Sequence, residues 1–325
     1  MPVMGKRFAQ LQALQYEMQK NPTLVYQREF SACTAMRPDG KAIDLLAEFG
    51  WLRLGSYREG PIDEHWLHGS AAGYAVSGGR SIVNLPSMTT RYATEYIFNQ
   101  DGKMRSMSGG QLAFPITIWI EGAGRSPGMS GQHADDGCEI NYVIMPGIKV
   151  VCPSTVYDAK GLMHACLRQD DPIVYFDYTV EASADVPDEP FEVPIGKCAV
   201  RQEGKNITIA TWASANGEVA KAVAALAKEG ISAEYIDIRT LKPYDKDTVN
   251  NSVAKTKALL VVTHGHYASN FAHQVVSEAV MAGISFKGHV LAFPDAAAPA
   301  AAEMITWMTP TADRIVDAAE KMLKA

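Results

Sequence analysis

The run from Gly60 to Gly79, GPIDEHWLHGSAAGYAVSGG, reads as one helix with a carboxylate at its mouth. Pro61 suits a first helical position, because its missing N–H would have no helical partner there. Asp63 and Glu64 then fall in the first turn, where the positive end of the helix dipole favours negative charge. Leu67, Ala71, Tyr74 and Ala75 recur at helical spacing. Gly69 and Gly73 share one face, and two glycines inside a helix cost roughly 1 kcal/mol each against alanine. Close approach of another backbone is the usual compensation. The helix stops at Gly78–Gly79, and Ser81-Ile82-Val83 opens a strand. On these residues alone, Glu64 reads as charge complementation of a helix N-terminus.

Working outward, the chain alternates strands and helices on both sides of this run. An amphipathic helix comes first, with Phe8, Leu11, Leu14 and Met18 on one face. A short strand follows at Thr23–Tyr26, then a helix over Ala42–Phe49. Beyond the organising helix come a strand near Ser81–Leu85, a helix over Thr94–Met107, and a buried strand over Phe114–Trp119. A polar glycine loop spans Glu121–Glu139. Pro146–Ser154 is a turn and strand, Asp158–Arg168 a helix, and Pro172–Phe176 a strand. Such alternation predicts a mainly parallel sheet covered on both faces.

Proline and acid crowd Thr179–Pro194, which reads as a linker. A second alternating block starts near Gly196, with strands at Ile207–Trp212, Ile231–Ile238, Ala258–Thr263 and Lys287–Phe293. Helices lie between them, and a last helix covers Thr311–Leu323. The fold class is therefore α/β with two doubly wound domains: residues 1–180, a linker over 181–195, and residues 196–325.

Composition limits the function classes. The 325 residues are 47% hydrophobic and 20% charged, with net charge −6 and no basic block, which argues against a nucleic-acid partner. No apolar run approaches the roughly 20 residues needed to span a bilayer. The N-terminus lacks an apolar signal core, and five scattered cysteines without a CxxC pair argue for a reducing cytoplasm.

Four stretches carry a resemblance: PIDE at Pro61–Glu64, MSGGQ at Met107–Gln111, PGIKVVCPS at Pro146–Ser154 with Asp158–Leu162 and Asp170–Phe176, and DIRTLKPYD at Asp237–Asp245. In order and spacing they resemble the beta subunit of the thiamine diphosphate-dependent component of 2-oxo acid dehydrogenase complexes, within the transketolase-like superfamily. The resemblance covers nearly the whole chain. It implies a pyrimidine-binding domain followed by a transketolase C-terminal-like domain.

The resemblance gives Glu64 a role: its carboxyl group hydrogen-bonds a ring nitrogen of the cofactor's aminopyrimidine. The pyrimidine amino group removes the thiazolium proton only in its imino tautomer, which a proton shared with the ring nitrogen favours. An apolar surrounding disfavours a bare carboxylate and so favours that sharing. His133, in SGQHADD, falls where the family carries a histidine near the active-site mouth, implied to bind the substrate carboxylate or the acceptor. Here Ala134, Asp135 and Asp136 follow it; the two acids favour its protonated form and repel an anionic substrate. An exposed loop histidine is the alternative.

Other positions depart from the family. Asn84-Leu85 stands in place of an acid–aromatic pair, and Thr89 or Thr90 falls where a ring stacks on the pyrimidine. Leu85, Met88 or Tyr92 could pack there instead. Gln169 replaces an acid in Cys166–Asp171, the segment matching a structural cation site, often potassium. His264 and His266 form an HxH pair without a third ligand in view, and no metal site is assigned. His65 and His68 read as a solvated or interface helix face.

The chain has no Gly-Asp-Gly motif for the magnesium that anchors the cofactor diphosphate. A separate alpha subunit is expected to supply that half in an α2β2 heterotetramer, with a lipoyl-bearing acyltransferase core as a further partner. The resemblance thus implies decarboxylation of a 2-oxo acid and acyl transfer to lipoamide. The alternatives are a split transketolase-like or acyloin-cleaving subunit, or a non-catalytic assembly subunit.

Overall fold

The computed structural model describes residues 3–29, 36–43, 55–87, 90–121, 139–178, 181–268, 270–297, 299 and 301–324. Two compact units result: residues 1–123 with 141–195, and residues 124–140 with 196–325.

The first unit is built on parallel strands. In chain order they are β1 (Leu24–Glu29), β2 (Tyr57–Gly60), β3 (Arg80–Pro86), β4 (Ile116–Glu121), β5 (Lys149–Val151) and β6 (Ile173–Phe176). In space the order is β5-β6-β4-β3-β1-β2, every pair parallel. Central strands are buried along almost their full length, as ITIWI in β4 shows, because helices cover both faces. One face packs α1 (Lys6–Lys20) and α4 (Val156–Leu167): Leu11, Leu14, Met18, Ile82, Trp119, Leu162 and Met163 form one core cluster. The predicted apolar stripe of the first helix is thus the buried one. The other face packs α2 (Glu64–Val76), where Ser81 on β3 donates its hydroxyl to the Ala71 carbonyl at 3.0 Å.

Two local expectations are corrected, and a third gains a π turn. The organising helix starts at Glu64, not Pro61; Asp63 is its N-cap and accepts the Trp66 N–H at 3.0 Å. A side chain that can cap outcompetes a proline that merely tolerates the position. The helix expected over Thr94–Met107 is present, with a π turn (Tyr96–Asp101) running into α3 (Gly102–Met107), and a separate 3-10 turn (Thr90–Ala93) precedes it. Within the acidic segment expected as a linker, Ser183–Asp185 pairs antiparallel with Val3–Gly5, and Val186 and Val193 are buried in the first unit. The helix expected over Ala42–Phe49 lies largely outside the described residues.

In the second unit, β7 (Ala199–Gln202), β8 (Ile207–Thr211), β9 (Ala233–Asp237), β10 (Ala258–His266) and β11 (Lys287–Phe293) are ordered β11-β10-β8-β9-β7. Only the edge pair β9–β7 is antiparallel. The DIRTLKPYD stretch serves this unit structurally. Asp237, fully buried, accepts from Arg201 at 2.8 Å and from Asn216 at 3.1 Å. Asp245 caps the helix Lys246–Thr256.

Candidate functional site

In a parallel sheet, ligands bind outside the carboxyl ends of the strands. Strand β2 ends at Gly60, and α2 begins four residues later, so the first turn of α2 lies at that edge of the first unit. The turn is tightly built: a Cβ on Gly60 would meet the Trp66 ring at 2.1 Å. Glu64 is the first residue of α2 and is only 7% exposed. No hydrogen bond or ion pair joins its carboxylate to another described residue. The helix N-terminus favours its negative charge. The arrangement suits a ligand that brings a hydrogen-bonding nitrogen.

Leu85 lies near the end of β3, fully buried, opposite Ile120. Period-two alternation puts it on the face of Ser81, the face that α2 covers. Both residues lie toward the carboxyl edge of the sheet, Glu64 at the start of α2 and Leu85, wholly covered, near the end of β3. Tyr92, in the 3-10 turn that follows β3, is 51% exposed. Thr89 and His133 lie outside the described residues, as do Asp135 and Asp136.

Gly69 and Gly73 behave differently from each other. A Cβ on Gly69 would meet the Tyr96 ring at 3.1 Å, a side chain rather than another backbone. At Gly73 nothing lies within 4 Å, and with Ile62 and Trp66 it stands exposed.

One feature escaped sequence reasoning. His68, expected on a solvated or interface helix face, is fully buried within the first unit, and its Nε2 lies 2.8 Å from Oδ2 of the buried Asp101. The signal was present: Glu64, Leu67, His68, Ala71, Ala72 and Ala75 form the buried stripe of α2, and His68 sits in its middle. Burial pushes the Asp101 carboxyl above the usual range, while His68 pulls it back.

The Cys166–Asp171 segment is served by basic side chains. Lys149 reaches Gln169 Oε1 at 2.7 Å and Asp171 at 3.1 Å, Arg80 reaches the Gln169 carbonyl and Asp170, and Arg105 reaches Asp171. In the second unit, His264 Nδ1 is 3.0 Å from Ser214 Oγ, and His266 donates Nδ1–H to the Pro294 carbonyl at 3.0 Å. Among the described residues, no three His, Cys, Asp or Glu side chains cluster to hold a metal ion. No described helix is long and apolar enough to cross a membrane.

Fold and site define a two-domain chain of the transketolase type. The transketolase pyrimidine-binding domain matches residues 7–179 and the transketolase C-terminal domain residues 196–315. A solved split-gene transketolase, described as an inactive beta4 tetramer, shares the fold at TM-score 0.78 and 19% identity, over 99% of both chains. The pyruvate dehydrogenase E1 component subunit beta of Bacillus subtilis (strain 168) is 34% identical over 86% of this chain and 86% of its own length. The beta subunit of acetoin:2,6-dichlorophenolindophenol oxidoreductase from Cupriavidus necator is 33% identical over 81% and 79%. The chain belongs to the family of thiamine diphosphate-dependent E1 beta subunits.

Proposed function

We propose that the chain is the beta subunit of a heteromeric 2-oxo acid dehydrogenase, decarboxylating a 2-oxo acid and passing the acyl group to lipoamide. The carrying observation is Glu64: a buried carboxylate on a helix N-terminus, at the carboxyl edge of a parallel sheet, with no described partner. Thiamine diphosphate, when bound, supplies the electron sink for decarboxylation. Glu64 holds a proton at the pyrimidine ring nitrogen. Leu85 walls the ring on one side, with Thr89 and Tyr92 as further contacts. His133 binds the substrate carboxylate or the acceptor and moves protons there.

An alpha subunit carrying Gly-Asp-Gly holds magnesium and the diphosphate, in an α2β2 assembly that docks on a lipoyl-bearing acyltransferase core in the cytoplasm. The exposed Ile62, Trp66 and Gly73 support a partner against α2. Residues 1–180 act as the pyrimidine-binding domain and 196–325 as the C-terminal domain. The acetoin-oxidising relative supports a second reading, cleavage of an acyloin.

The test is co-expression with the companion chain, then dye reduction with 2-oxo acids and acyloins, with and without thiamine diphosphate and magnesium. Cofactor-dependent turnover of a 2-oxo acid is expected. A complex that binds cofactor yet turns over neither class would overturn the catalytic reading.

A further inference from the structure

Half of the buried residues of α2 are alanines, Ala71, Ala72 and Ala75 toward its C-terminal end, and a Cβ on Gly69 would already crowd the Tyr96 ring. Apolar contact is non-directional. A stripe of alanines therefore holds a helix against its neighbour without fixing how far it slides or turns. Glu64, on the first turn, needs that position fixed: hydrogen bonding to a ring nitrogen tolerates little error in distance or direction.

The His68–Asp101 bond supplies direction. His68 is four residues from Glu64, so the two side chains share a face of α2. Asp101 closes the π turn Tyr96–Asp101, which follows the 3-10 turn Thr90–Ala93 that bears Tyr92. The bond spans 33 residues of sequence and joins the element bearing Glu64 to the helical stretch that follows the turn bearing Tyr92. The Tyr96 ring packs against both histidines of α2, its centroid 6.0 Å from that of His68 and 6.1 Å from that of His65. The remaining polar atoms, His68 Nδ1 and Asp101 Oδ1, are buried without a hydrogen-bond partner among the described residues. A buried polar pair left half satisfied costs more than an apolar pair of the same shape. Packing alone gives no reason to keep it, and π turns of this kind concentrate at functional sites.

We propose that His68 and Asp101 are a positioning pair for Glu64: their hydrogen bond locks the first turns of α2 to the Tyr96–Asp101 segment and sets where Glu64 meets the pyrimidine. The inference rests on the reading of Glu64 above, and its test separates the two. His68 acts through Glu64, so removing it matters only while Glu64 is present.

The experiment is a double-mutant cycle in the assembled complex with the companion subunit, reading exchange of the thiazolium proton with deuterium. His68→Leu should slow exchange about 10- to 100-fold, the scale of a misplaced catalytic group. In a Glu64→Gln background the same change should have no further effect. Asp101→Asn, which keeps the side-chain size and an acceptor for the ring N–H, should retain most of the wild-type rate. Where His68→Leu does not assemble, His68→Leu/Asp101→Leu replaces both polar partners and carries the same cycle.

A second readout needs no cofactor. Amide exchange in the cofactor-free complex should rise together over Glu64–Gly69 and Tyr96–Gly102, and stay unchanged in β3 and β4. Equal slowing by His68→Leu with and without Glu64 would overturn the proposal, as would a lower melting temperature with unchanged proton exchange. If Glu64→Gln alone leaves proton exchange fast, the assignment of Glu64 falls, whatever His68 does.

Discussion

Glu17 on α1 and His164 on α4 meet across 147 residues of sequence, with the ring Nδ1 2.6 Å from the carboxylate Oε1. Both are buried, and Arg168 adds hydrogen bonds to both Glu17 oxygens at 3.1 Å. Burial pushes the Glu17 carboxyl up, but the hydrogen bonds from His164 and Arg168 more than reverse it, so its pKa lies below the ordinary value. A depressed carboxyl adds stability that is fully present above its unfolded pKa, about 4.3, and is lost as pH falls through the folded value. Arg168 is 40% exposed, so its share is discounted for solvent screening. Glu17→Gln should therefore cost on the order of 2 kcal/mol at pH 7, the scale of hydrogen bonds to a charged group. Urea unfolding should show that gap closing below about pH 4. A gap that stays constant into acid would contradict the assignment.

Glu64→Gln keeps side-chain size, so it should fold and assemble as the wild type does. Cofactor affinity should change little if the diphosphate is held by the companion chain. Exchange of the thiazolium proton should fall by about 10²–10⁴-fold, the usual range for a general acid–base group. Exchange measured by NMR needs no knowledge of the substrate. Fast exchange in the variant would move the activating role to another residue.

Gly161 sits where α4 meets the 191–193 segment. A Cβ there would lie 2.5 Å from Val193 Cγ2, 2.7 Å from Phe191 Cε2 and 3.0 Å from the Val193 backbone nitrogen. The segment is pinned nearby, since Lys160 donates to Gln12 Oε1 at 2.6 Å and to the Asp188 carbonyl at 3.0 Å. Gly161→Ala should cost roughly 1–3 kcal/mol, as overpacking does. Protease sensitivity should rise at residues 186–194. Unchanged stability and cleavage would mean the segment is free to move away.

Asp63 tests the cap. Asp63→Ala removes the acceptor for the Trp66 N–H and should cost about 1 kcal/mol. Helix fraying should raise amide exchange at Glu64–Leu67. Asp63→Ser keeps a capping oxygen and should restore most of the loss, which a role unrelated to capping would not allow.

Much of this fold was legible because burial on both sheet faces leaves a strong pattern. ITIWI and IVYF are apolar runs bounded by turn residues, and each is a central strand. Glu64 was legible as a candidate because an acid beside proline before a small-residue helix is a short-range signal. The backbone pairing of Val3–Gly5 with Ser183–Asp185 was not, since main-chain hydrogen bonds carry no side-chain signature in an acid- and proline-rich segment. Nor was the π turn Tyr96–Asp101 inside the helix expected over Thr94–Met107. Which carbonyl an N–H chooses there depends on what the segment packs against, and local propensity is weak beside that.

The sequence by itself determined the two α/β blocks, the resemblance to E1 beta subunits, and the candidacy of Glu64. Each depends on residues close together in the chain or on periodic burial. Tertiary structure alone decided that Glu64 is buried without a described partner, that Gly69 faces Tyr96 while Gly73 is open, and that His68 and Asp101 are joined. The reason is range. A titratable side chain is the same letter whether it is solvated or buried, and its chemistry is set by neighbours that the chain delivers from 33 or 147 residues away.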